Sequence, residues 1–379
     1  MFHSLAPYLT DLWGPFRLLG SYLVLIGIGI AGAGLTTWLL FPRLWRLLPV
    51  DRGRVHAVKA TDAQGKPTGA GSLLMLLVVP WLFLLLPWTP KLWGIVACLL
   101  ACMLTGYLDD RSRSPWGEYF KGSLDLLIAF LTSLVLCQGR SMGIWLPIVK
   151  GDFELPVWLF IVISTLVLWF TINATNCSDG VDGLAGTLTL LSLFYLGAFL
   201  YVVIGHSEVA DYLLVPHNPQ GADGAILVFT IAGGLAGYLW YNAEPSSILM
   251  GDAGSRCLGL LVGVAVMMAG NPFLVLVVAP VILANGGTGL FKIVLLRILR
   301  RFGVEVRPPN ILRQEAGEES GGACPRQHYL IKAVHSIRFP LHDHCRNRLG
   351  WSNPQVLLRF VLIQAFLTPL LFVLLVKLR

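Results

Sequence analysis

Residues 92–110 read LWGIVACLLACMLTGYLDD, an uncharged run that ends on two adjacent aspartates, Asp109 and Asp110. A membrane-spanning helix needs ~20 predominantly apolar residues, and this run comes close to that length. Outward from it the pattern repeats, with apolar runs near 18–40, 72–88, 122–138, 157–175, 184–204, 225–241, 256–270, 272–296 and 356–376. Ten spans are therefore expected, the eighth short and the ninth long. Only 13% of the 379 residues are charged and 55% are hydrophobic, whereas soluble domains carry about a quarter charged residues. The expected fold class is an all-α, polytopic integral membrane protein. Its spans, apart from Lys292, look nearly free of ionisable groups.

Ten spans divide the loops into two alternating sets. Loops 41–71, 109–121, 173–183, 242–255 and 297–355 hold 19 of the 28 Lys and Arg residues. The positive-inside rule makes that set cytoplasmic and turns both termini outward, to the periplasmic side. Asp109, Asp110, Asp179, Asp182 and Asp252 all fall in this set, although acidic residues contribute little to the rule. Carboxylates at a membrane boundary cost free energy unless they bind something, so one cytoplasmic cleft for a hard cation and a phosphate is expected. The first apolar run is too long for a signal-peptide core and reads as a retained span, preceded by an interfacial segment with Trp13 and Phe16. The seven cysteines follow no disulfide-like spacing and read as reduced thiols.

Within the basic loops, GYLDD at 106–110 places two carboxylates about 100° apart on a helix, so they do different jobs. One faces a metal or a nucleophile while the other orients Lys121 or a backbone group; the plain alternative is a solvated helix end. NATNCSDGVDGLAG at 173–186 spaces Asn176, Asp179 and Asp182 by three before a helix start whose N–H groups attract anions. The corner suits a nucleotide or pyrophosphate, unless Asp182 merely caps the helix. In NAEPSSILMGDAGS at 242–255, which opens on Asn242, glycines flank Asp252 closely enough for it to hold Mg²⁺ against diphosphate oxygens. His342 and His344 flank Asp343 in the last basic loop, and Lys59, Lys66 and Thr68 lie in a glycine-rich loop that is either a phosphate contact or a connector.

Taken together, these segments resemble the polyprenyl-phosphate N-acetylhexosamine-1-phosphate transferase superfamily. PLHDH followed by GWSNPQVLLRF resembles its phospho-N-acetylmuramoyl-pentapeptide transferase branch, over residues from about 50 to the C-terminus. The resemblance implies one transferase domain over 1–379 in the bacterial inner membrane. Its partners would be UDP-MurNAc-pentapeptide, undecaprenyl phosphate and membrane lipid, with a homodimer plausible and no nucleic acid. The implied products are lipid I and UMP, for peptidoglycan biosynthesis. Asp252 would be the Mg²⁺ ligand, and Asp109, Asp110, Lys121, His342 and His344 would join it in the catalytic set. Asn176, Asp179, Asp182, Asn242, Lys59, Thr68 and Leu249 would contact substrate.

Three departures from that pattern stand out. Asp343 replaces the middle histidine of a triple, Leu249 replaces an aromatic residue associated with uracil stacking, and 304–337 reads as a cytoplasmic insertion. Two rival readings remain at this level. One is a sister transferase using UDP-GlcNAc or another UDP-N-acetylhexosamine; the other is an ion-coupled secondary transporter, whose boundary carboxylates bind the coupling ion. For the transferase, single displacement by the lipid phosphate is favoured over a phospho-aspartate.

Overall fold

The structure is a computed structural model and describes residues 2–51, 64–114, 116–146, 152–304, 306, 335 and 337–377. Its elements are α1 (Phe2–Leu12), α2 (Tyr22–Leu44), α3 (Ala70–Leu85), α4 (Pro90–Arg111), α5 (Glu118–Cys137), α6 (Val157–Ser178) and α7 (Leu184–Ala198). They continue as α8 (Ser207–Tyr212), α9 (Gln220–Asn242), α10 (Gly251–Met268), α11 (Leu274–Val278), α12 (Pro280–Ile282), α13 (Thr288–Arg301), α14 (Leu341–Arg348) and α15 (Asn353–Lys377). Among the described residues nine helices are long and apolar enough to cross a membrane, which makes this a polytopic membrane protein. The tenth expected span is α3, apolar but only 16 residues long and with Pro80 inside it. Six of the cysteines lie among the described residues, and all six are free thiols.

The bundle is all-helical as expected, and one short hairpin is added to it: β1 (Met142–Trp145) pairs antiparallel with β2 (Asp152–Leu155). Trp145 anchors this hairpin by donating from its indole to the Ala269 carbonyl at 2.8 Å, just past the end of α10. The expectation of spans nearly free of ionisable groups needs correction. Asp125 on α5 and Arg256 on α10 form a fully buried ion pair, Arg256 Nε donating to Asp125 Oδ1 at 2.9 Å. Each lies four residues after a group that bears on the site, Lys121 and Asp252, so each continues the same helix face one turn deeper.

Every residue of α10 is buried, and α3, α4, α6 and α7 pack around it. A helix surrounded on all sides must be approached closely, and small residues permit that. A methyl at Gly106 of α4 would sit 2.6 Å from the Ala253 Cα, and one at Gly71 of α3 would collide with the Gly254 backbone. The long ninth span is broken near Asn285: α11 and α12 lead into a π-helical turn over Leu283–Gly287 before α13. A methyl at Gly286 in that turn would strike the Ala174 carbonyl of α6, which fixes the break against the helix that ends at Ser178.

Candidate active site

α4 begins with an N-cap, Thr89 Oγ1 accepting from the Leu92 N–H at 3.3 Å with Pro90 in the first turn, and runs to Arg111. Near its end, Asp109 Oδ1 accepts the Trp116 N–H at 2.9 Å. That bond spans the turn between α4 and α5 and brings Lys121, on the first turn of α5, back to Asp109, where its ammonium pairs with Oδ2. Lys121 Nζ also lies 3.0 Å from Asp252 Oδ2. Asn176, near the end of α6, donates to Asp252 Oδ1 at 3.2 Å and to Ser255 Oγ at 3.0 Å. Four elements thus converge on one centre, with Asp109 8% and Asp252 5% exposed.

Asp110 does something else. Its two oxygens accept the N–H groups of Asp252 and Ala253, each at 3.0 Å. They satisfy donors that the first turn of α10 cannot satisfy within the helix, and they place a negative charge at the positive end of its dipole. Gly251 precedes with φ +70, and a methyl there would strike Asp110 Oδ2, so glycine is what lets the cap close. Asp110 therefore holds Asp252 in place from behind.

A second cluster joins three loops. Asp182 Oδ2 accepts the Ser246 N–H at 3.1 Å and lies 3.7 Å from Lys66 Nζ, which donates to Ser246 Oγ at 3.0 Å. Asn242 is 4% exposed, and its amide accepts from the Gly183 N–H at 2.9 Å and donates to the Ile248 carbonyl at 2.8 Å. It binds loop to loop, and it occupies one of the donors that the start of α7 would otherwise offer an anion. Leu249 is half-buried; its N–H donates to Pro67 O at 2.8 Å and its carbonyl accepts from Ala70 N at 3.2 Å. Thr68 is buried and donates its N–H to Pro49 O at 2.8 Å. Asp179 is partly buried in the turn after α6. Lys59 and most of 304–337 lie outside the described residues.

The two histidines part company. His342 is 3% exposed, and Gly180 lacks a side chain where the imidazole sits, since a methyl there would collide with Nε2. His344 is partly exposed, and its Nδ1 accepts the Arg338 N–H at 3.2 Å. Sequence reasoning missed Ser246, Ser255, Asn285, Asp125 and Arg256. Only the last two left a signal, the i+4 spacing after Lys121 and Asp252.

The glycosyl transferase family 4 pattern matches residues 92–270, the stretch that holds Asp109, Lys121, Asn176 and Asp252. Over 99% of this chain and 96% of its own length, a phospho-N-acetylmuramoyl-pentapeptide-transferase of Treponema pallidum (strain Nichols) is 43% identical. The chain belongs to the phospho-N-acetylmuramoyl-pentapeptide transferase family. A more distant member, from Bartonella quintana (strain Toulouse), is 28% identical over 88% of each chain. Membership makes this a transferase of peptidoglycan biosynthesis. It removes the transporter reading, whatever the buried charges in the spans.

Proposed function

We propose that the protein transfers phospho-MurNAc-pentapeptide from its UDP carrier to undecaprenyl phosphate at the cytoplasmic membrane face, forming lipid I and UMP. The observation that carries this reading is the convergence of Asp109, Lys121, Asn176 and Asp252 from α4, α5, α6 and α10, in a chain aligned almost end to end with a transferase of that name. An oxygen of the lipid phosphate forms a bond to the sugar-linked phosphorus, and the bond from that phosphorus to the bridging oxygen breaks as UMP leaves. Both reactants are anions, so charge neutralisation outweighs proton removal. A phosphate monoester with second pKa near 6 is already largely dianionic at neutral pH.

The residues fit Mg²⁺. Among the described residues no cluster of three or more His, Cys, Asp or Glu could hold a metal, but Mg²⁺ is ordinarily bound by one or two carboxylates together with substrate phosphates. Asp252, with Asp109 across Lys121, supplies that set of hard oxygens. When bound, Mg²⁺ would neutralise diphosphate oxygens and polarise the attacked phosphorus. Lys121 places a cation between the two carboxylates, and Asn176 fixes the Asp252 carboxylate from the other side. Both oxygens of Asp109 are engaged, by Trp116 and Lys121, and so are both of Asp252, by Asn176 and Lys121. Each oxygen keeps a lone pair for a metal or a substrate group. We favour direct displacement, because the lipid phosphate is itself a sufficient nucleophile, with Asp109 holding Lys121 and the acceptor in place.

The test is UMP release by the purified protein in detergent with undecaprenyl phosphate, Mg²⁺ and either UDP-MurNAc-pentapeptide or UDP-GlcNAc. Release with the muramoyl substrate, abolished by chelating Mg²⁺ and by Asp252→Asn, is expected. Release with UDP-GlcNAc alone would move the activity to the sister branch.

A further inference from the structure

Asn285 is 0% exposed and sits in the π-helical turn of the ninth span. Its Oδ1 lies 2.9 Å from the His342 backbone nitrogen and 3.1 Å from His342 Nδ1. A backbone N–H can only donate, so the atom it meets is the carboxamide oxygen and not the amide nitrogen. That oxygen can only accept, so the ring nitrogen beside it carries a proton. The tautomer of His342 is thereby settled by its neighbour. Nδ1 is the donor, and Nε2 lies where a side chain on Gly180 would be, in the loop that carries Asp179 and Asp182.

We propose that Asn285 is a positioning residue that locks His342 with its proton on Nδ1 and presents the Nε2 lone pair at the Gly180 loop, where it accepts a hydrogen bond from a hydroxyl or amide N–H of the sugar nucleotide. A ring held in this state acts as an acceptor and not as a cationic donor to phosphate. The charged groups about the ring are few. Asp343 Oδ1 is 3.9 Å from Nε2, Arg346 lies 3.8 Å beyond on that same carboxylate, and the facing loop brings Asp179 and Asp182. Burial pushes the His342 pKa down to about 4 from 6.5; Asp343 opposes that shift and Arg346 adds to it. The ring is then neutral at physiological pH, as an acceptor requires. The same break in the ninth span seats Gly286 against α6, so one short turn positions both the histidine and the helix that ends in the nucleotide-side loop.

The lock itself depends on no substrate; only the identity of the donor rests on the proposed function. Asn285→Asp keeps an oxygen for both bonds but adds a charge that favours imidazolium, whereas Asn285→Ala removes the lock. Two series test them, melting temperature against pH in detergent and kcat and KM for the UDP substrate against pH. In the parent, a histidine held neutral contributes stability that is whole above pH 6.5 and is lost as pH falls toward 4. Asn285→Asp should flatten that acid loss relative to the parent. It should also give kcat/KM a new inflection between about pH 6 and 8, with activity lost on the acid side where Nε2 is protonated. Asn285→Ala should raise KM by about five- to ten-fold, the worth of one hydrogen bond, with kcat little changed. Superimposable melting series for Asn285→Asp and parent would overturn the lock, even if the protein released no UMP from any substrate tried. A flattened melting series with unchanged kcat/KM profiles in an active enzyme would overturn the contact to substrate.

Discussion

Asp109 bonds the turn that returns the chain to Lys121, whereas Asp110, about 100° further round the same helix, caps the start of α10. The two roles separate experimentally. Asp110→Ala should cost about 1–2 kcal/mol of stability through the lost cap and lower activity with it, because Asp252 sits in the turn that the cap holds. Asp109→Asn should leave the melting temperature near the parent's and lower kcat by about 100-fold or more, the scale on which removing one electrostatic group in a preorganised site is felt. Equal losses of stability in both variants would contradict this division. The sequence placed both aspartates at a helix end and assigned them different jobs, because helical geometry dictates their angle. Which of the two met Lys121 depended on where α5 and α10 packed.

At the scale of elements, α5 and α10 face each other with crossed charges, Lys121 to Asp252 at the site and Asp125 to Arg256 one turn deeper. A buried ion pair is expensive to break because removing one partner strands the other's charge, while replacing both by apolar residues is often neutral. Asp125→Leu or Arg256→Met alone should each destabilise by about 3–5 kcal/mol, and the double substitution should recover most of that loss. Thermal melting of the four proteins in detergent measures it, and additive losses in the double variant would contradict the pairing. The expectation of nearly uncharged spans failed here for a definable reason. Composition registers each charge singly, and only the packing of two helices shows that two of them cancel. The spans themselves were legible from run length and polarity, α3 excepted, because a 16-residue helix with flanking apolar residues reads as longer than it is. The hairpin left no signal beyond a short stretch between two spans.

For the whole molecule, the ends of α4, α6 and α9 and the starts of α5, α7 and α10 meet around the site, while the hairpin docks beyond the far end of α10. The charge bias of the loops leads us to expect the site on the cytoplasmic face and the hairpin on the other, and labelling tests that expectation. With the native cysteines replaced, Glu154→Cys in the hairpin should label in intact cells with a membrane-impermeant maleimide. Ser247→Cys in the loop before α10 should label only after the membrane is opened, and the reverse pattern would invert the topology. Both positions are exposed.

The sequence by itself determined that the chain lives in a membrane and how its spans are ordered, and it singled out the boundary carboxylates on which the proposed phosphate-transfer site rests. Those follow from local quantities: the transfer free energy of ~20-residue runs, the cost of a boundary charge, and motif spacing. Tertiary structure alone decided that Asp110 is a cap, that Asn242 joins loops, that Asp125 and Arg256 neutralise each other, and that Asn285 sets the proton on His342. Each of these is a contact between residues far apart in the chain, and hydrogen bonds and ion pairs act only over a few ångströms. Their partners are fixed by how the helices pack, which no local pattern records.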